Sequence, residues 1–347
     1  MGSVKDLTVI NAPSETQAGL GRFAFSDRYS VFDWGEMPDH IDGKGAALCV
    51  IGAHFFELLA REGVPVHYRG LFDGDGRIKR LGELTAPSCD MAVSLYRVLR
   101  PAERDGSYDY ARYADVNNNY LVPLEVIYRN RLPEGASVFA RLREGTVTLA
   151  ELGLTEMPAP GAILDRPILD VSTKLEVTDR YITWPEAQAI SGLLDGEMDT
   201  LRGLTLRINE TITREAERIG LANEDGKIEF AIDEHARLTV VDVLGTPDEC
   251  RFTWNGLHVS KELARVFYRG SAWHAAVERA KREDRINWKS RVDGAPAPLP
   301  APLARNLSHM YQAVANGLTG RDFFPVPPLA EVMKQVALEL GALRREG

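Results

Sequence analysis

Residues 225–251, DGKIEFAIDEHARLTVVDVLGTPDECR, constrain this chain more than any other stretch. Apolar and polar residues alternate over 227–232, so Ile228, Phe230 and Ile232 share one face of a strand and Lys227 and Glu229 the other. A second alternating run, 238–243, follows a polar bend at 234–237, which predicts a β-hairpin. With a four-residue bend, Asp233 faces Leu238 and Glu229 falls directly opposite Asp242. Side chains so placed are about 5 Å apart, and two carboxylates that close repel unless a cation lies between them. Hard oxygen ligands at a sheet edge, with Lys227 two residues before Glu229, suit Mg²⁺ carrying a nucleotide phosphate. An exposed hairpin with solvated charges satisfies the same alternation. The next turn favours a site. Thr246, Pro247 and Asp248 make a rigid polar bend leading to Arg251, whose guanidinium can hold a phosphate or carboxylate bidentately.

Three more blocks precede the hairpin. SDRYSVFD at 26–33 runs into Gly43-Lys44-Gly45, where the glycines let backbone approach a ligand, and then into a helix over 46–62. Leu48, Ile51, Phe55, Leu58 and Leu59 are its apolar stripe, and His54 within it reads as structural. VPLEVIYRNR at 122–131 is a strand that places Glu125, Ile127 and Arg129 on one face, with Ser137 in the turn beyond. DVSTKLEVTDRYITW at 170–184 carries Lys174, Glu176 and Asp179, then a helix start at Thr183 with Pro185 and Glu186 in a capping-box pattern.

In order and spacing these blocks resemble the phosphoribosylaminoimidazole-succinocarboxamide synthases (SAICAR synthetases), ATP-dependent amide ligases of purine synthesis. The matches are Asp27, Arg28, Ser30, Phe32 and Asp33 with Gly43-Lys44-Gly45, then Glu125 and Arg129. Lys174, Glu176 and Asp179 match next, and then Lys227, Glu229, Asp242 and Thr246-Pro247-Asp248 with Arg251. The resemblance implies an α+β fold, a small antiparallel N-terminal sheet domain plus a larger ATP-grasp-like domain, with ATP in the cleft between them. It implies condensation of carboxyaminoimidazole ribonucleotide with L-aspartate at the expense of ATP. In that reading Glu229 and Asp242 carry Mg²⁺, and Lys227, Lys174 and Asp179 are the catalytic groups. Asp27, Arg28, Ser30, Lys44, Arg129, Ser137 and Arg251 bind substrate, and Gly19, Gly21, Arg22 and Glu125 bind the nucleotide. Four departures stand out: the glycine stretch 13–22 has no lysine, Thr178 replaces a histidine, Val243 follows Asp242, and Glu249-Cys250 precedes Arg251. They leave two alternatives open, a paralogue acting on another azole ribonucleotide carboxylate and a non-catalytic nucleotide-binding regulator.

The domain expectation is 1–119 covering the nucleotide, 120–293 forming the central domain, and 294–347 a Pro-Ala linker with helices near 306–318 and 328–345 packed on the central domain. Residues 101–119 read as an insertion or hinge. A net charge of −9 argues against nonspecific nucleic-acid binding. No apolar run approaches the ~20 residues of a membrane span, and no signal peptide is apparent. Three widely spaced cysteines fit no zinc pattern. The expectation is a cytoplasmic enzyme of small-molecule partners, without nucleic acid or membrane, and a candidate homo-oligomer.

Overall fold

The computed structural model describes residues 4–284 and 287–346. Alternating apolar residues build a first antiparallel sheet from β1 (Lys5–Asn11), β2 (Gly19–Phe25), β3 (Tyr68–Phe72), β4 (Ile78–Lys79) and β5 (Asp90–Leu95). Its spatial order is β1-β2-β5-β3-β4. The helix α1 (Lys44–Arg61) lies between β2 and β3 in the chain and buries Leu48, Ile51, Phe55 and Leu59. It starts at Lys44 because Gly43 takes a left-handed φ of 73° and the Asp27 carboxylate accepts the N–H groups of Gly43 and Gly45 at 3.0 and 2.8 Å. A distant side chain thus satisfies donors that a helix start leaves free.

A short hairpin, β6 (Ala102–Arg104) and β7 (Ser107–Asp109), follows where the sequence reads as an insertion. The second sheet is made of β8 (Tyr120–Arg131), β9 (Ile163–Thr173), β10 (Ala222–Ile232), β11 (Leu238–Val241), β12 (Cys250–Trp254) and β13 (Leu257–His258). Its order is β13-β12-β10-β8-β9, with β11 also on β10. Between these strands come α2 (Ser137–Glu144), α3 (Trp184–Ser191) and α4 (Asp195–Arg218). Thr183 caps α3 by accepting the Glu186 N–H at 3.3 Å, and α4 buries Leu201, Ile208 and Ile212.

The two sheets are stitched together: His67 N–H donates to the Val240 carbonyl at 3.0 Å, and Leu121 N–H to the Arg97 carbonyl at 2.8 Å. A continuous apolar core runs through both. The chain then forms α5 (Glu262–Tyr268), α6 (Ala272–Glu283), α7 (Ala301–Thr319) and α8 (Leu329–Glu346). Expected on the central segment, α7 instead lies mainly along α1, with slighter contact to α4. The reason is that α1 is buried on almost every side, Ala46, Ala47, Val50 and Ala53 included, so the sheet covers only part of it. The stripe of Leu303, Leu307, Met310 and Val314 supplies the rest. The Pro-Ala stretch is also less of a linker than expected, since Leu299 is buried and the helix begins at Ala301. Among the described residues no helix is long and apolar enough to cross a membrane.

Candidate active site

The hairpin forms, one residue out of the expected register. Ile232 pairs with Leu238 and Glu229 with Val241, so the bend spans five residues. Asp233 is drawn into it, because its carboxylate accepts the N–H groups of His235 and Arg237, both at 2.9 Å. A regular strand would then point Asp242 away from Glu229. Asp242 instead leaves the strand with a left-handed φ of 63°, a conformation that aspartate tolerates better than most residues. Its carboxylate thereby joins Glu229 at the wall of one cavity.

Behind Glu229 the strands bring distant charges together. Lys174 Nζ lies 2.7 Å from Glu125 Oε1 and 2.8 Å from Glu229 Oε1. Lys227 Nζ lies 2.9 Å from Glu125, 3.1 Å from Glu229 and 3.2 Å from Glu249. The cause is registry: β10 pairs Glu229 with Glu125 on β8, and both carboxylates emerge on the face that Lys227 shares. Burial opposes charge on the Lys227 and Lys174 ammonium groups, but the surrounding carboxylates outweigh it and raise both pKa values. Burial would raise Glu125, yet Lys227 and then Lys174 hold it below the usual carboxylate range. Glu229 goes the other way, raised by burial and then by the charge of Asp242. Burial would raise Asp242 too, but Lys5, ahead of Lys227 and Lys174, keeps it low.

Two cavities meet at this cluster. One, about 350 Å³, is lined by Leu7, Val9, Phe23, Leu95, Val98 and Leu121 and ends at Glu229 and Asp242. The other, about 320 Å³, is polar and runs from Glu125 and Lys227 past Arg129, Tyr181 and Asp225 to Arg251, Lys261 and Arg265. An apolar slot ending in carboxylates suits a nucleotide base with its phosphates at the charged end. The polar cavity suits a small, multiply charged molecule.

The predicted nucleotide residues divide. Gly21 lies on the cavity face of β2, where a Cβ would come within 2.8 Å of the Leu95 side chain, so its bareness keeps the slot open. Gly19 lies close against the backbone of Asn11 and Pro13, and a side chain there would collide with it. Both are strand residues. Arg22 alternates to the opposite face, is exposed, and pairs with Asp90 at 2.5 Å. It does not reach the slot.

Several predicted substrate residues turn out to be internal supports. Asp27 caps α1. Arg28 reaches Asp6 at 2.8 Å and Ser26 Oγ at 2.9 Å, and Ser30 Oγ accepts the Gly35 N–H at 3.2 Å. Lys44 is 0% exposed and sits 2.7 Å from Asp248, which also accepts the Tyr311 hydroxyl at 2.7 Å. Lys44 lines neither of these two cavities. It holds Asp248, which does line the polar one, and its charge keeps that carboxylate ionised against the effect of burial.

Arg129 and Arg251 do converge on the polar cavity, through Asp225. Arg251 lies 2.6 Å from it and Arg129 3.7 Å. Arg129 also donates to the Tyr181 hydroxyl at 3.0 Å and more weakly to Ser137 Oγ at 3.4 Å. Asp179 sits on the exposed rim of the cluster. Its carboxyl is pushed up to about 6 by desolvation and by Glu125, with Lys174 and Lys227 opposing.

Two groups escaped the sequence reading. Lys5 Nζ lies 2.6 Å from Asp242, and so brings an ammonium group to one of the two carboxylates at the end of the slot. Its signal was readable, because Lys5, Leu7 and Val9 alternate onto one face of a strand just ahead of the glycine stretch 13–22. Tyr181 had no such signal. It becomes a partner of Arg129 and Ser137 only when β8, α2 and the turn after β9 come together.

Residues 11–280 match the model of the SAICAR synthetase family. A protein of Archaeoglobus fulgidus, provisionally named phosphoribosylaminoimidazole-succinocarboxamide synthase, is 48% identical over 336 residues, 97% of this chain and 98% of its own. Among solved structures, the SAICAR-synthase of Saccharomyces cerevisiae complexed with SAICAR shares the fold. Its TM-score is 0.63 at 22% identity, covering 92% of this chain and 93% of its own. A SAICAR synthetase in complex with ADP gives 0.55 at 21% identity, covering 86% and 99%. The fold likeness agrees with the match in sequence, and on the two together the chain belongs to the SAICAR synthetase family.

Proposed function

We propose that this chain condenses carboxyaminoimidazole ribonucleotide with L-aspartate, using ATP and releasing ADP and phosphate. The observation that carries the reading is the junction of an apolar slot and a polar cavity at one cluster of lysines and carboxylates. A carboxylate resists attack by an amine because oxide is a very poor leaving group. Transfer of the ATP γ-phosphoryl group to that carboxylate gives an acyl phosphate. The amine then attacks its carbonyl carbon, and phosphate leaves with the bonding electrons. The first step asks for positioning and charge neutralisation rather than an elaborate acid–base set.

In this reading ATP occupies the slot with its phosphates at Lys5, Lys174 and Lys227, and the azole ribonucleotide occupies the polar cavity. Arg129 and Arg251 hold the ribose phosphate, with Ser137 and Tyr181 orienting Arg129. Lys227 and Lys174 lie where the transferring group passes between the cavities. Asp179, with a carboxyl near 6, is suited to take the proton released as the amine attacks.

Among the described residues no group of three or more His, Cys, Asp and Glu side chains is placed to hold a metal ion. Glu229 and Asp242 do fit a metal that arrives with phosphate oxygens and keeps water ligands, because two carboxylates face one cavity end and burial with mutual repulsion raises one of them. They would hold Mg²⁺, which when bound neutralises charge on the transferring phosphoryl group.

The test is ADP release together with amide formation, with azole and amino acid varied separately. Activity that requires both the aminoimidazole carboxylate and aspartate supports the assignment. Activity with a different azole favours the paralogue. A protein that binds ATP and makes no amide from any azole carboxylate is the regulator instead.

A further inference from the structure

The hairpin β6–β7 carries no group of the site, and Ala102, Glu103, Arg104, Ser107 and Asp109 are all exposed. A hairpin that buries so little does little for global stability. Tyr108 on it and Tyr110 just after it reach the loop 174–180. The Tyr110 hydroxyl donates to Glu176 Oε1 at 3.0 Å, and the Tyr108 hydroxyl accepts the Val177 N–H at 3.1 Å. Glu176 is buried by this contact, its side chain only 3% exposed, and Arg180 holds it from the other side at 3.2 Å. The loop is closed at its base, where Thr173 N–H donates to the Arg180 carbonyl at 2.9 Å and Arg180 N–H to Thr173 Oγ1 at 3.0 Å. The hairpin in turn is anchored by Tyr113, which is 1% exposed and packs edge-on against Tyr120 at 5.7 Å.

We propose that β6–β7 clamps the 174–180 loop, and that Tyr108 and Tyr110 are positioning residues for Asp179 in the ligase reaction, an assignment that rests on the reading above. The loop spans from Lys174 in the cluster to Asp179 on the rim, and Tyr181 follows it into the polar cavity. A seven-residue loop held only at its base samples many conformations, and each one lost on substrate binding costs affinity. Two hydrogen bonds at its crest remove that cost in advance. The apolar slot lies against β1, β2, β5, β8, β10 and β11, and Lys174 at the base of the loop is fixed by its own ion pairs with Glu125 and Glu229 and by its N–H to the Pro123 carbonyl at 3.0 Å, so the clamp acts on the amine side and leaves the nucleotide alone.

The experiment uses the full chain and a Tyr108→Phe, Tyr110→Phe double variant, which keeps both rings and removes only the hydroxyls. Without ligands, hydrogen exchange of the Val177 amide should speed up about tenfold, the worth of a lost hydrogen bond. In the amide-forming assay the KM for aspartate should rise about five- to tenfold while the KM for ATP stays within about twofold. Glu176→Gln keeps an acceptor for Tyr110 and should stay near wild type, whereas Glu176→Leu should behave like the double variant. Unchanged Val177 exchange would overturn the clamp, and so would KM values for ATP and aspartate rising together. Wild-type protein that forms no amide would remove the ligase reading, and the exchange measurement would still decide whether the hairpin holds the loop.

Discussion

Lys174 and Lys227 place their ammonium groups on the same oxygen of Glu125, at 2.7 and 2.9 Å, and both also reach Glu229. One carboxylate thus keeps two like charges side by side at the junction of the two cavities. That pairing holds the lysines charged and their positions fixed before any phosphate arrives, which is preorganisation for a transition state rich in negative charge. Glu249 adds a third carboxylate to Lys227 at 3.2 Å. The glutamate that looks out of place beside Arg251 in the sequence therefore belongs to the cluster.

Asp242→Asn keeps the shape of its side chain and removes the charge. Amide formation should fall about a thousandfold or more, the loss of several kcal/mol of charge stabilisation, in a protein that still folds, with its melting temperature lowered by loss of the Lys5 ion pair. Near-normal turnover would place the metal ligands elsewhere.

Arg251→Ala should raise the KM for the azole ribonucleotide about thirtyfold or more, as expected when one partner of a desolvated charge pair is truncated. The KM for ATP should barely move, since Arg251 lines the polar cavity and not the apolar slot. Steady-state kinetics with each substrate varied in turn decides this. Equal effects on both would make the arginine a structural partner of Asp225.

Asp179 gives a pH signature. Its folded-state pKa of about 6 lies above the ordinary ~3.9, so between those values the folded protein binds more protons than the unfolded chain. This group's contribution to stability therefore falls as pH rises from about 4 to 6. Activity runs the opposite way, because only the ionised carboxylate accepts a proton. The kcat/KM for aspartate should climb through pH 6, and Asp179→Asn should lower it and flatten that limb. A limb that persists unchanged in the variant assigns the base to another group.

Lys44→Met tests a supporting role. Removing the cation leaves Asp248 buried and ionised without its partner, which should destabilise the protein by about 3–5 kcal/mol in urea unfolding. The KM for ATP in the folded fraction should be unchanged. Full stability with lost activity would return Lys44 to the substrate.

Much of the site was legible because strand periodicity is a property of the backbone. Lys227 with Glu229, and Glu125 with Ile127 and Arg129, share faces by the two-residue repeat alone, and both sets line the cavities as that repeat requires. Helix stripes and the Thr183 cap are local in the same sense. What tertiary structure alone decided is which charges meet. Asp242 depends on a left-handed turn and on Lys5 from the far end of the chain, Lys44 on Asp248, and Arg22 on Asp90. Whether a charged side chain faces a ligand or an internal partner is set by distances between residues far apart in sequence, and only the packed sheets and α1 bring those residues within a few ångströms.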